Sequence, residues 1–195
     1  MFVIGLTGSM AMGKSTTAAM FRRRGIAVHD SDRAVHDLYR GAAVEPIEQA
    51  FPGVTADGEV DRKKLGAALA GDIDQLARLE KIVHPLVRAK TVEFGEQAAR
   101  DGAPIVVLDI PLLFETGAEQ WMDCVVVVTT SPETQRERVL ARRGMTEELF
   151  EKLLARQVPD ADKRRHAHFI IDTGFGFEAA ERDVETILRA TSALI

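Results

Sequence analysis

The chain has 195 residues, of which 46% are hydrophobic and 28% are charged. This length and balance predict one folded domain with a substantial core, and they exclude a chain that is disordered throughout. The formal net charge of −5 at pH 7 argues against non-specific nucleic-acid binding as the main activity. No apolar run approaches the roughly 20 residues of a membrane-spanning helix. We therefore expect neither a nucleic-acid partner nor a membrane partner.

The sequence contains a single cysteine, Cys124, beside an apolar run. One cysteine forms no internal disulfide, which is typical of proteins from a reducing compartment. We expect Cys124 to be a small core residue and not a nucleophile. The opening "MFVIGLTG" lacks the basic segment of a signal peptide, so we expect a cytoplasmic protein.

The N-terminal segment predicts a strand, a phosphate-binding loop and a helix, in that order. An apolar run at residues 2–7 precedes "GSMAMGKS", which fits the pattern G-x-x-x-x-G-K-[ST]. In such loops the backbone N–H groups and the helix N-terminus bind phosphate, the lysine reaches the β- and γ-phosphates, and the next hydroxyl binds Mg²⁺. The motif predicts that the loop binds phosphate through Gly8, Ser9, Met10, Ala11, Met12, Gly13, Lys14 and Ser15.

This loop is unusual because Met10, Ala11 and Met12 lie between its two glycines. A residue other than glycine at positive φ costs about 1–2 kcal/mol. We therefore expect Ala11 and Met12 at negative φ, or a slightly reshaped loop. The alternative is an amphipathic helix with core methionines, which Gly8 and Gly13 disfavour.

Four further apolar runs predict the other strands of one sheet, at residues 26–30, 104–109, 123–129 and 168–172. Continuous apolar character is typical of parallel strands that are covered by helices on both faces. Helical patterns lie between the runs. The sequence thus predicts a three-layer α/β fold with a five-stranded parallel sheet.

Residues 31–103 interrupt the alternation of strands and helices. The interval is longer than one crossover needs, and its patterns predict several helices, two of which are separated just before Pro85. We expect a helical insertion that caps a substrate. The core of the single domain 1–195 is then formed by residues 1–30 and 104–195.

Acidic residues follow two of the predicted strands, where ligands of open parallel sheets bind. Asp30 and Asp32 follow the second strand, and Asp109 ends the third. Asp32 is predicted to orient, or accept the proton of, a hydroxyl that attacks a γ-phosphate, although any residue of "DSD" also suits a helix N-cap. Asp109 and Ser15 are predicted to hold Mg²⁺.

The segment after the fourth strand carries several arginines. Arg138 and Arg142 are four residues apart, so we expect them to share one face of a helix. Like charges at this spacing favour a bound anion, which predicts contacts with the nucleotide and with the transferring group. The alternative is a solvated helix of alternating charge, because Glu133 and Glu137 also lie there. The predicted catalytic set is Asp32, Lys14, Arg138 and Arg142.

Together these motifs resemble the dephospho-CoA kinase family. The matching segments are "LTGSMAMGKST", "VHDSDRAVH", "HPLV", "DIPLLFE" and "SPETQRERVLARR", in this order through nearly the whole chain. The resemblance implies a P-loop kinase that uses ATP and Mg²⁺ to phosphorylate the ribose 3′-hydroxyl of dephospho-CoA, which completes coenzyme A. The resemblance implies that the ATP-binding loop runs from Gly8 to Thr16, that Asp32 is the base, and that Arg138 and Arg142 are the lid arginines. It also implies a lid at residues 142–157 and the family's His-Pro at His84 and Pro85.

The chain departs from the family's pattern in two places. The usual loop is close to G-G-I-G-S-G-K-S, so Ser9, Ala11 and Met12 are substitutions. After the last strand the family commonly has Asp-Asn, where this chain has Asp172 and Thr173. Threonine offers an acceptor but no amide. We expect Thr173 at the adenine, with looser base selectivity.

Two other functions fit part of the sequence. Small-metabolite kinases of the shikimate or gluconate type also have an acidic motif after the second strand, but shikimate kinases have a glycine-rich turn where this chain has "DIPLLFE". A regulatory nucleotide-binding protein of the GTPase type usually has N/T-K-x-D where this chain has "VTTSPET". We expect dephospho-CoA as the small-molecule partner, and a monomer or weak homo-oligomer.

Overall fold

The structure is a computed structural model, and it describes residues 1–69 and 72–195. The chain divides into two compact units. The first comprises Met1–His29 and Gln97–Ile195, and the second comprises Asp30–Glu96. The second unit ends before residue 103 because the last turn of a long helix belongs to the first unit.

The first unit is built on a five-stranded sheet. Its strands are β1 (Phe2–Thr7), β2 (Ala27–Asp30), β5 (Ile105–Asp109), β6 (Cys124–Thr129) and β7 (Phe169–Asp172). They are ordered β2-β5-β1-β6-β7, and β1 pairs in parallel with β5 and β6, as β6 does with β7. Each strand begins within one residue of an apolar run in the sequence. The predicted five-stranded parallel sheet is confirmed.

Other elements cover both faces of this sheet, as β6 shows. Alternate residues of this strand point to opposite sides of the sheet, and both sets are packed. Val126 and Val128 join a core cluster that includes residues of helices α1 (Lys14–Arg23) and α9 (Phe177–Ser192). Val125 and Val127 pack on the other side with Leu113. The three-layer arrangement expected from the uninterrupted apolar strands is therefore present.

Helix α6 (Pro132–Leu140) follows β6 and ends earlier than the sequence suggested. Ser131 caps its start, and Pro132 occupies the first turn, where a missing N–H costs nothing. Gly144 has φ 80°, which takes the chain out of the right-handed helical region. Arg142 lies beyond the end of α6 at Leu140, in a turn before α7 (Glu147–Leu154). The prediction that Arg138 and Arg142 share a helix face is wrong.

The second unit is mainly helical, with its own core. Its helices are α2 (Ser31–Leu38), α3 (Val44–Ala50), α4 (Arg62–Leu69) and most of α5 (Ile73–Arg100). A short hairpin, β3 (Thr55–Ala56) with β4 (Glu59–Val60), turns through Asp57 and Gly58, both at positive φ. An Asp-Gly pair is typical of such a turn, so the sequence contains a local signal for this hairpin, which was not predicted.

Helix α5 is continuous through Pro85, so the predicted division into two helices before this residue is wrong. A helical proline removes one N–H donor and crowds the preceding turn. Packing outweighs this cost here, because Leu79 and Val83 before the proline and Leu86 and Val87 after it pack in one cluster. Among the described residues, no helix combines the length and the apolar character needed to cross a membrane.

Candidate active site

The phosphate-binding loop joins β1 to α1 inside the first unit. Helix α1 begins at Lys14, directly after Gly13, which has φ 97° and makes no side-chain capping bond. The first turn contains no acidic residue. A helix N-terminus without a side-chain cap presents N–H groups and partial positive charge to an anion. This arrangement suits a phosphate group.

Two glycines of the motif are fixed by close neighbours. A Cβ at Gly8 would lie 2.5 Å from the carbonyl oxygen of Val128, so no side chain fits between β1 and β6. A Cβ at Gly13 would lie 2.9 Å from Cγ2 of Thr173. The glycines therefore let the loop approach the sheet and the segment that follows β7.

Ala11 has φ 60°, so the expectation of a negative φ at this residue is wrong. The N–H of Met12 donates to the carbonyl oxygen of Ser9 at 3.2 Å, which closes a tight turn with Ala11 as its third residue. Type II turns require positive φ at that position, which glycine usually supplies. Met12 is not among the positive-φ residues of the described chain, so the expectation for Met12 is confirmed.

The side chain of Met12 points into the core and not onto the rim of the loop. It is 2% exposed and belongs to the cluster of Ile4, Leu6 and Met20. Burial of a methionine side chain contributes about 1.5–3 kcal/mol. This gain is similar in size to the cost of about 1–2 kcal/mol for alanine in the left-handed region. Burial of Met12 therefore offsets much of the strain at Ala11.

Lys14 and Asp109 form an ion pair between the loop and the end of β5. The Nζ of Lys14 donates to Oδ1 of Asp109. Asp109 is 2% exposed and lies opposite Leu6 of β1, so the sheet places its carboxylate beside the loop. A carboxylate buried to this degree requires a cationic or hydrogen-bonding partner. The structure thus brings together the residues predicted to bind phosphate and metal.

The donor set near this pair fits Mg²⁺. Ser15 is exposed in the first turn of α1, and Asp109 ends the neighbouring strand. Mg²⁺ is usually bound by one or two protein groups together with substrate phosphates and water. Within the described residues, no three His, Cys, Asp or Glu side chains are grouped to hold a metal by themselves. One hydroxyl and one carboxylate match the donors of a phosphate-bound ion.

Arg138 lies beside the loop and contacts Thr173. Its Nη1 donates to Oγ1 of Thr173 at 2.8 Å and its Nη2 to the Thr173 carbonyl at 3.2 Å. A longer contact of 3.5 Å joins Nη1 to the carbonyl oxygen of Ala11. Arg142 is exposed in the turn after α6, at the start of the predicted lid. Of the two predicted arginines, Arg138 is therefore held at the loop.

In the second unit, the two aspartates of "DSD" have different environments. Asp30 is the N-cap of α2, because its Oδ1 accepts the N–H of Arg33 at 3.0 Å. Asp32 lies in the first turn of the same helix and is exposed. The capping alternative is thus fulfilled by Asp30, which leaves the carboxylate of Asp32 available. His84 is exposed on α5.

Two glutamines hold the loop and were missed in the sequence. Nε2 of Gln135 donates to the Met10 carbonyl at 2.9 Å, and Oε1 of Gln157 accepts the Met10 N–H at 3.2 Å. Gln135 lies on α6 and is 4% exposed. Both lie more than a hundred positions from the loop, and no local motif indicates them.

The last residue of "DIPLLFE" also has a structural partner that the sequence did not reveal. Glu115 forms a 2.8 Å ion pair with Lys163, whose side chain is fully buried. The same carboxylate accepts the N–H of Val158 at 2.9 Å. Glu115 therefore fixes the segment after β5 to the chain that follows the predicted lid.

Comparisons with known proteins agree along the whole chain. A family model described as dephospho-CoA kinase matches residues 2–177. A dephospho-CoA kinase of Mesorhizobium japonicum is 58% identical over 188 residues, covering 96% of this chain and 95% of the relative. One of Agrobacterium fabrum is 56% identical over 193 residues, covering 99% and 100%.

A solved structure shows the same fold. The crystal structure of TT1252 from Thermus thermophilus superposes with a TM-score of 0.83 at 34% identity, and the match covers 100% of this chain and 97% of that one. The chain belongs to the dephospho-CoA kinase family.

Proposed function

We propose that this chain transfers the γ-phosphoryl group of ATP to the ribose 3′-hydroxyl of dephospho-CoA, with coenzyme A and ADP as products. This is the last step of coenzyme A biosynthesis. The observation that carries the proposal is the Lys14–Asp109 pair beside a loop whose helix N-terminus has no side-chain cap. Both relatives described above are named as dephospho-CoA kinases, which favours this acceptor over shikimate or gluconate.

Phosphate binding is assigned to the loop and to the first turn of α1. The N–H groups at the start of the helix bind phosphate oxygens, and Lys14 leaves Asp109 to contact the β- and γ-phosphates. Ser15 and Asp109 would hold Mg²⁺, which would supply positive charge next to those phosphates. The ion pair with Lys14 keeps the buried carboxylate compensated while no nucleotide is bound.

Asp32 is assigned to the acceptor. It orients the 3′-hydroxyl and takes its proton as that oxygen bonds to the γ-phosphorus, while the bond to the β–γ bridging oxygen breaks and ADP leaves. Arg138 stabilises the negative charge on the transferring group. Arg142 closes with the lid at residues 142–157, which excludes water from the reaction. Residues 31–103 supply the helices that bind the acceptor.

An acceptor-comparison assay tests this function. Purified protein is incubated with ATP and Mg²⁺ and, separately, dephospho-CoA, shikimate, gluconate or adenosine, and ADP release is measured. Of the four acceptors, we expect only dephospho-CoA to give turnover. We expect no turnover with any acceptor in a Lys14→Met control. Turnover with shikimate or gluconate, together with none from dephospho-CoA, would assign the chain to small-metabolite kinases.

We further propose that the enzyme works in the cytoplasm as a monomer or weak homo-oligomer, without a nucleic-acid or membrane partner. The net charge of −5 argues against a nucleic-acid partner. Light scattering during size-exclusion chromatography tests the oligomeric state. A stable tetramer at micromolar concentration would contradict the proposal.

A further inference from the structure

The middle of the phosphate-binding loop is held from outside by side chains that are distant in sequence. The Met10 peptide groups bond to Gln135 and Gln157, and the Met12 carbonyl oxygen accepts a hydrogen bond from Thr173. The Ala11 carbonyl also accepts a longer contact of 3.5 Å from Arg138, so all three residues 10–12 have backbone groups bonded to other segments of the first unit. Phosphate loops with glycine in these positions need no such help to adopt positive φ.

Of these three side chains, Thr173 makes the most hydrogen bonds. Its hydroxyl donates to the Met12 carbonyl at 2.8 Å, a shorter contact than the 3.3 Å to the Thr129 carbonyl. The same oxygen accepts the Nη1 donor of Arg138 at 2.8 Å. A hydroxyl has one hydrogen to donate and two lone pairs to accept with. In this structure the hydroxyl hydrogen of Thr173 is donated to the loop, and one lone pair of the same oxygen accepts a hydrogen bond from Arg138.

The methyl group of Thr173 has a separate role from its hydroxyl. It fills the space beside Gly13, where an added Cβ would approach Cγ2 of Thr173 to 2.9 Å. Valine at this position keeps a methyl group there and removes the hydroxyl, whereas serine keeps the hydroxyl and removes the methyl. The two substitutions therefore separate hydrogen bonding from packing.

Gln135 and Gln157 act on the residue that precedes the strained one. Because one donates to the Met10 carbonyl and the other accepts the Met10 N–H, the peptide groups on both sides of Met10 are oriented. Their orientation fixes where the chain enters Ala11, whose φ of 60° is unusual for a residue with a side chain. The N–H groups of Met10 and Met12 are occupied by protein acceptors, so phosphate contacts are left to other amides of the loop and of α1.

We propose that Thr173, Gln135 and Gln157 are positioning residues that hold the Met-Ala-Met loop in its phosphate-binding conformation. Thr173 acts through the loop and Arg138, not by reading the edge of the adenine base. The proposal rests on the proposed function only in that this loop binds the phosphates of a nucleotide. It explains how the loop of this chain keeps the required turn with alanine where glycine is usual.

The test compares two ligands by calorimetry: ADP, and inorganic tripolyphosphate, which has no base. Thr173→Val should weaken the binding of both ligands by the same factor, at least about twofold, because the two hydrogen bonds of the hydroxyl, to the Met12 carbonyl and from Arg138, are lost. Thr173→Ser should bind both ligands within about twofold of the unsubstituted protein. Loss confined to ADP would indicate a contact with the base and overturn the proposal, as would unchanged binding of both ligands by Thr173→Val.

A second substitution tests whether the hydroxyl acts through the strained residue. Glycine adopts positive φ without steric cost, so Ala11→Gly should reduce the binding defect of Thr173→Val. A defect of the same size in the Ala11→Gly background would overturn this mechanism. If Thr173→Val does not fold, Gln135→Met, which removes the donor at similar volume, is measured against the same criteria.

These outcomes are independent of the acceptor. Protein that binds ADP with the expected pattern but does not phosphorylate dephospho-CoA would contradict the proposed function and leave the positioning role intact. Protein that phosphorylates dephospho-CoA while Thr173→Val binds both ligands normally would contradict only the positioning role.

Discussion

At the scale of single residues, the two aspartates of "DSD" differ in what their carboxylates bond to. Asp30 accepts a backbone N–H and holds the start of α2, a role that asparagine fulfils equally well. Asp32 is exposed in the first turn of the helix, where it is not needed as the cap. A carboxylate that is not used for capping is free to contact a substrate hydroxyl.

Asp32→Asn should therefore lower kcat with dephospho-CoA by roughly 10²–10⁴-fold, the usual contribution of a general base. ATP binding should stay within about twofold, because the phosphates are bound by the loop. Asp37→Asn is the matched control: it makes the same substitution on the exposed surface of the same helix and should keep normal turnover. Near-normal kcat in Asp32→Asn would reject the assigned role.

Cys124 shows how burial changes the chemistry of one residue. It is 3% exposed in the core, which confirms its expected structural role, and burial raises the pKa of its thiol to about 11 from an ordinary value of 9.0. Because the folded-state pKa is raised, the stabilisation is fully present below pH 9 and is lost as the pH rises through 11. At neutral pH the thiol is protonated and unreactive.

We expect the free energy of unfolding to fall by about 1 kcal/mol between pH 8 and pH 10 from this thiol alone. Urea titrations at both pH values measure it, and Cys124→Ala is the control in which this part of the pH dependence disappears. Identical pH dependence in both proteins would show that the thiol does not contribute. Iodoacetamide should label the native protein slowly at pH 8 and the unfolded protein quickly.

At the scale of secondary structure, the five strands of the main sheet were predicted, whereas the β3–β4 hairpin and the extents of two helices were not. Apolar runs predicted β1, β5 and β6, because consecutive residues of a strand that is covered on both faces are all buried and therefore apolar. The continuation of α5 through Pro85 was not predictable locally, because it depends on packing against other elements of the second unit. Helix α6 likewise ends at Leu140, although the helical pattern of the sequence continues toward Gly144.

The proline in α5 gives a test at this scale. Pro85 is exposed, and it lacks the N–H that the helix would use, so Pro85→Ala should raise the free energy of unfolding by about 1–3 kcal/mol. Glu80→Ala, at another exposed position of the same helix, should change it by less than about 0.5 kcal/mol. Chemical denaturation measures both. Destabilisation by Pro85→Ala would show that the backbone shape imposed by the proline is needed for packing.

At the scale of the whole molecule, the sequence alone was sufficient to identify the family. The side chains that hold the phosphate-binding loop could be identified only from the structure. The loop, "DSD" and "DIPLLFE" are contiguous motifs, and they led to the family that the comparisons show. The hydrogen bonds that Gln135, Gln157 and Thr173 make to the loop join segments far apart in sequence. No pattern of apolar and polar residues in the sequence indicates such contacts. The positive φ of Ala11 depends on the same tertiary contacts.

Our central claim is that this chain phosphorylates the ribose 3′-oxygen of dephospho-CoA. The most direct measurement is phosphorus NMR of the product formed by purified protein from dephospho-CoA, ATP and Mg²⁺. We predict one new phosphomonoester on the 3′-oxygen, with a matching amount of ADP, and no product with Lys14→Met. ATP hydrolysis without a new phosphomonoester, or phosphate on another oxygen of the acceptor, would contradict the account.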